Sequence, residues 1–158
     1  MAAPSPNRFP LKKNPKRNSH FAIIRSSRIH AAGVFSTQAI KKGTLILEYD
    51  GPRLSKEAAD IVYENRKDTY LFGIGDGTQV IDGHSMAMFV NHSCDPNCET
   101  AEYDDQIWIQ AMRDIEPGEE LVYDYYLYDG EEEAPCYCGA KTCRGTMYGV
   151  SPSSQKKK

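Results

Sequence analysis

Short apolar runs rich in β-branched and aromatic residues recur between turn residues at 21–25, 44–49, 70–74, 78–81, 107–111 and 121–123. Runs of that length bounded by Gly, Pro and Asp predict strands. Gly75-Asp76-Gly77 joins two of them as a tight hairpin, and Pro117-Gly118 turns the chain before another. One stretch has a different period. Ser55 can accept a hydrogen bond from the first free amides of a helix, and Leu54, Ala58, Ile61 and Val62 recur at helical spacing, which predicts a helix over 55–67 with one apolar stripe. Trp108 sits between Ile107 and Ile109 on alternate strand positions and reads as structural. The expected fold class is mostly β with short helices, and no internal repeat points to a solenoid or propeller.

With 158 residues and 40% apolar content, the chain can build one core and not two. Residues 1–19 carry Pro4, Pro6, Pro10 and Pro15 with few apolar side chains, which predicts a flexible arm; 151–158 is polar and expected to be disordered. No apolar run approaches the ~20 residues of a membrane span, and 1–17 lacks the apolar core of a secretory signal, so a soluble intracellular protein without a membrane partner is expected.

The net charge of −3 conceals an asymmetry: no Asp or Glu precedes Glu48, whereas 99–133 is densely acidic around a single Arg113. An acidic half can attract a basic peptide, or be an ordinary solvated face. The run Lys12-Lys13-Asn14-Pro15-Lys16-Arg17 fits a nuclear-import signal, a nucleic-acid patch or a solubilising tail equally. Five cysteines, three of them within 136–143, fit a metal site in a reducing compartment better than a disulfide framework.

Three blocks carry the chemistry: Asn91-His92-Ser93-Cys94-Asp95-Pro96-Asn97; Glu119-Glu120-Leu121-Val122-Tyr123-Asp124-Tyr125; and Cys136-x-Cys138 followed by Cys143. With the run from Ser27 to Phe35, Glu48-Tyr49-Asp50-Gly51 and Tyr70-Leu71-Phe72, they resemble the SET-domain protein lysine methyltransferases over about 20–148. The resemblance implies a SET domain at 20–131, with several small β-sheets around a carboxyl-terminal pseudoknot, and a post-SET zinc-binding segment at 132–150. It implies one structural Zn2+ held by Cys94, Cys136, Cys138 and Cys143, with Cys98 as a spare that could compete with Cys94, which is preferred because it holds the motif position. Four thiolates satisfy a tetrahedral zinc and pin a short tail to the body.

The same resemblance implies that S-adenosylmethionine is held by Ala31, Ala32 and Gly33, by Asn91 and His92, by Tyr125, and by Tyr148 over the adenine. The family usually carries Gly where this chain has Ala31, and many relatives carry Arg where it has Met88. Tyr125 is implied as the central catalytic tyrosine, with Tyr70 lining the lysine channel. Tyr123 occupies a position whose Tyr or Phe identity sets how many methyl groups are added, and Tyr predicts mainly monomethylation. A basic protein such as a histone tail is the expected substrate partner, and a monomer is expected. Nuclear or chromosomal residence follows in a eukaryotic or viral host, cytoplasm or nucleoid in a bacterial one. Two other readings stay open: a catalytically weak SET-like binding module that kept its zinc, and a nucleic-acid-binding protein acting through its basic arm.

Overall fold

All six predicted runs form strands, and four further strands complete three small sheets. The computed structural model of the chain describes residues 21–66, 70–127 and 133–149. In chain order the elements are β1 (Ala22–Ser26), β2 (Ala32–Ser36), β3 (Leu45–Tyr49), β4 (Arg53–Ser55), α1 (Lys56–Tyr63), β5 (Leu71–Ile74), β6 (Gln79–Asp82), a 3-10 turn at Met86–Phe89, β7 (Asn91–His92), β8 (Cys98–Tyr103), β9 (Gln106–Ala111) and β10 (Glu120–Tyr123). The expected arm at 1–19, the tail at 151–158 and the boundary at 131–132 lie outside the described residues.

The sheets run β1-β2-β10-β7, β3-β9-β8 and β4-β6-β5. Among the described strands every pairing within these sheets is antiparallel except β10 with β7, where Val122 faces Asn91 and Tyr123 faces His92. The loop after β7 is fastened to the same strand. Asn97 is buried, donates from Nδ2 to Glu120 O at 2.8 Å and accepts Val122 N–H at Oδ1 at 2.9 Å, so its amide acts as a surrogate rung of the ladder. β10 is thereby gripped from both sides, which fixes the direction of the residues that follow it.

The β8–β9 hairpin closes through Asp104 and Asp105, at φ 48° and 60°. Two left-handed residues are what a two-residue turn matching strand twist requires. Ile107, Ile109, Val34 and Leu121 fill the core between sheets, and Cys98 is fully buried beside them.

The helix forms where predicted but is shorter and turned differently. Ser55 caps it by accepting Ala58 N–H at 3.1 Å. It ends at Tyr63 because 64–66, Glu-Asn-Arg, offers nothing apolar to bury, and Arg66 N–H closes a turn on Tyr63 O at 3.0 Å. The expected stripe does not face the core: Ile61 is 76% exposed and Val62 47%, while Ala59 is buried. This eight-residue helix packs on β4 and β6 with Ala59 as its buried residue, one position beyond the predicted face, and its Tyr63 hydroxyl donates to the Asp82 carboxylate. Among the described residues no helix is long and apolar enough to cross a membrane.

Candidate active site and metal centre

The thiols of Cys94, Cys136, Cys138 and Cys143 converge so that their sulfurs all lie within 4.8 Å of one another. Cys94 and Cys136 Sγ are 3.8 Å apart. Four thiolates at about 2.3 Å from a tetrahedral zinc stand about 3.8 Å from each other, so the donor set and its size fit that ion. Sequence proximity brings three of these residues near one another; the fold brings the fourth. Gly139 and Gly145, at φ 73° and 78°, turn the tail back, and Cys136 N–H bonds Gly145 O at 3.1 Å.

Hydrogen bonds surround the sulfurs. Arg144 N–H donates to Cys94 Sγ and Gly145 N–H to Cys143 Sγ, each at 3.4 Å. Burial pushes the Cys94 and Cys136 thiols up. Burial raises Cys138 too, but backbone hydrogen bonds from Cys94 and Ala140 outweigh it and hold that thiol low. Cys98 lies apart in β8, where burial pushes its thiol up to about 12, the behaviour of a packed small hydrophobe.

A cluster of phenols lies where β10 ends. The Tyr123 and Tyr125 rings are 4.8 Å apart at 45°, and Tyr125 donates its hydroxyl proton to Val90 O at 2.8 Å. Tyr49, from β3, donates to Tyr70 O at 2.7 Å. Burial, reinforced by the neighbouring phenols, pushes the hydroxyls of Tyr49, Tyr123 and Tyr125 above the ordinary tyrosine value, so all three remain protonated near neutrality. Such a site offers fixed neutral dipoles and aromatic faces, not a phenolate base. Tyr49 was not among the residues singled out from sequence. Its signal is the Glu48-Tyr49-Asp50-Gly51 run together with Gly83, where a Cβ would stand 2.7 Å from the Tyr49 hydroxyl.

Two of the three regions expected to hold a cofactor meet through Asn91. Asn91 donates through Nδ2 to Ala32 O at 2.9 Å, to Glu120 Oε1 at 2.9 Å and to Ser27 Oγ at 3.2 Å. Glu120 also accepts from the Ser27 hydroxyl at 2.7 Å, and a Cβ at Gly33 would overlap its carboxylate. Ala31 precedes this cradle at φ 22°, a left-handed position occupied without glycine's freedom. His92 is 3% exposed; its Nδ1 accepts Tyr125 N–H at 3.1 Å and its Nε2 stands 3.4 Å from Cys94 Sγ. Its side chain is therefore committed inward. Tyr148 joins through the tail: it bridges Leu127, Leu127 N–H bonds Met147 O at 3.2 Å, and Gly149 N–H bonds Leu127 O at 3.0 Å.

The acids of 99–133 are less available than their number suggests. Asp114 pairs with Lys41, Glu119 with Arg113 and Asp124 with Arg144, and Glu120 lies in the network under Asn91.

The SET domain family matches residues 31–126. The chain is 40% identical over 152 residues to the Schizosaccharomyces pombe protein named histone-lysine N-methyltransferase, H3 lysine-4 specific, covering 89% of this chain and 16% of that one. It is 39% identical over 145 residues to histone-lysine N-methyltransferase TRX1 of Oryza sativa subsp. japonica, covering 84% and 14%. It is 35% identical over 150 residues to histone-lysine N-methyltransferase 2D of Homo sapiens, covering 87% and 3%. The chain thus spans less than a fifth of the length of these curated relatives.

Proposed function

Because this chain belongs to the SET-domain family, we propose that it transfers the methyl group of S-adenosylmethionine to a lysine ε-amine of a histone-like basic protein tail. The observation that carries the reading is the pairing of Tyr125, its hydroxyl tied to Val90 O, with the Asn91–Ala32 contact, because it puts an oriented phenol beside the expected donor cradle. The bound donor supplies an electrophilic methyl on a sulfonium. Ala31, Ala32, Gly33, Asn91, His92 and Tyr148 are the residues that would hold it.

Tyr125 gives its proton to Val90 O and so keeps oxygen lone pairs for the incoming amine or the methyl hydrogens. A free lysine, with a pKa of about 10.4, is about three units protonated at neutral pH, a handicap of roughly 4 kcal/mol. Burial among Tyr49, Tyr70, Tyr123 and Tyr125 strips water from the amine and favours its neutral form, while the ring faces tolerate a methylated ammonium. Because the Tyr49, Tyr123 and Tyr125 phenols stay neutral, alignment and desolvation supply the rate in place of a strong base.

Tyr123 keeps a hydroxyl in the space a second methyl would need, which supports mainly monomethyl product. Zinc is the ion that the four thiolates fit; Cys94, Cys136, Cys138 and Cys143 would hold it, and its role would be structural, since protein would supply all four ligands. The S. pombe relative is named for histone H3 lysine 4, which makes histone H3 the first substrate to try, and action in the nucleus is part of the proposal for a eukaryotic host.

The test is incubation of the purified chain with labelled donor and a panel of histones and other basic proteins, read by mass spectrometry. Methyl on a lysine with the unaltered chain and none with Tyr125→Phe supports the reading. Donor bound but no lysine modified on any basic substrate would overturn it.

A further inference from the structure

The Asp124 carboxylate lies between the two tyrosines at the end of β10, and four polar groups converge on it. Arg144 reaches it with Nη1 at 2.6 Å and Nη2 at 3.0 Å, Tyr126 N–H donates to it at 3.0 Å, and His92 Nδ1 is 3.6 Å away. The Arg144 and Asp124 side chains are only 22% and 18% exposed. From its other groups Arg144 touches the remaining parts of the site. Its backbone N–H donates to Cys94 Sγ at 3.4 Å, its Nη2 also donates to Tyr148 O at 3.3 Å, and its guanidinium carbon lies 5.9 Å from the Tyr126 ring centre.

One residue therefore contacts a metal ligand, the segment between Tyr123 and Tyr125, and the residue expected over the adenine. Its Nε is buried without a partner among the described residues, a cost accepted to hold the fork in this orientation. Tyr126, at φ 52°, is bent to bring Leu127 beside Tyr148, and the Asp124 hydrogen bond to Tyr126 N–H holds that bend.

We propose that the Arg144–Asp124 pair is a positioning device that sets Tyr148 and the metal-bearing tail against the tyrosine segment, so that the methyl donor finds its binding wall already assembled. This rests on the proposed function and goes beyond it, since it assigns donor affinity to two residues that are not expected to touch the donor. A planar two-point fork is needed, not charge alone, so lysine cannot replace Arg144. Losing hydrogen bonds to a charged group that holds a binding wall in place weakens binding about 10- to 100-fold.

The test compares the whole chain with Arg144→Lys, Arg144→Met and Asp124→Asn. Donor affinity is measured by calorimetry with S-adenosylmethionine, metal content by elemental analysis, and kcat and KM for the donor by methyl transfer. The expected result is one bound ion in every variant, donor Kd and KM raised about 10- to 100-fold, and a smaller change in kcat. The double variant Arg144→Met with Asp124→Asn should be no worse than either single. Donor affinity within twofold of the parent in Arg144→Met or Arg144→Lys would overturn the proposal. So would loss of the ion from Asp124→Asn, which leaves every cysteine in place and would show that the pair merely props up the tail. A parent chain that binds donor and transfers no methyl counts against the proposed function, and the calorimetric comparison still decides the role of the pair.

Discussion

Tyr125 hangs its backbone N–H on Nδ1 of His92 at 3.1 Å, and the opposite nitrogen of that ring stands 3.4 Å from Cys94 Sγ. An imidazole that accepts at Nδ1 carries its proton on Nε2 when neutral, so it donates toward the sulfur. Burial lowers the His92 pKa and favours that neutral form. The tyrosine segment and the thiol cluster are thus one ring apart.

Tyr125→Phe should abolish function without unfolding the chain. The lost bond to Val90 O is a single buried hydrogen bond, about 1 kcal/mol. Removing an oriented polar group at a reacting centre costs roughly 100-fold or more in rate. Thermal melting beside a methyl-transfer assay separates the two effects; equal losses of fold and rate would make Tyr125 a packing residue.

Tyr123→Phe should shift products from mono- toward di- and trimethyl-lysine at little cost in stability. The side chain is 8% exposed and packed against Tyr125, so its ring position should persist. Intact-mass spectra of modified peptide read the outcome. Abundant trimethyl product from the unaltered chain would sink the assignment.

Stripping the metal with a chelator, or Cys143→Ser, should loosen 133–149 and leave the three sheets folded. The core of Ile109, Val34 and Leu121 has no thiol support except the buried Cys98, whereas the tail is tied mainly through the cluster, the Asp124–Arg144 pair and the Leu127 bridge. Hydrogen exchange should rise in the tail with protection of β3 and β9 retained. Collapse of both together would contradict a separable tail.

Ala31→Gly and Gly33→Ala should move stability in opposite directions. Ala31 sits at φ 22°, where a Cβ costs about 1 kcal/mol, partly offset by glycine's greater entropy when unfolded. A methyl at Gly33 overlaps the Glu120 carboxylate that Ser27 and Asn91 hold, with a loss of about 1–3 kcal/mol. Denaturant midpoints check both signs.

Acid should erase the contribution of Glu119. A hydrogen bond from Arg113, at 2.7 Å, holds this carboxyl below its ordinary range. A depressed folded value means the stabilisation is complete above the unfolded pKa of about 4.3 and is lost as pH falls through the folded one. Because both side chains are partly exposed, the effect is about 0.5 kcal/mol. Melting points of the parent and Glu119→Gln should differ at pH 7 and converge once the pH has fallen below the depressed value of the folded carboxyl.

The six strands announced in the amino-acid pattern are those whose β-branched and aromatic residues speak for themselves. β8 was silent because Cys-Glu-Thr-Ala-Glu-Tyr reads as polar; it becomes a strand by pairing with β9 residue for residue. β7, at two residues, has no pattern to read and exists because β10 lies beside it. The thiol cluster was legible because three of its members are close in sequence and the fourth stands in a distinctive block. The Asp124–Arg144 pair was not, since two charges 20 positions apart meet only when the tail folds back. The face of α1 was misread because four apolar residues at helical spacing look like a core stripe, while one buried Ala59 suffices for so short a helix.

β10 completes a sheet whose other members were made 28 to 98 residues earlier in the chain, counting from Glu120 back to His92 and to Ala22. During synthesis the inner edges of β2 and β7 therefore stay open until Glu120–Tyr123 emerges, and open edges recruit other strands. This sheet cannot close before Glu120–Tyr123 is made, and chains halted before Glu120 should be inert and prone to clump.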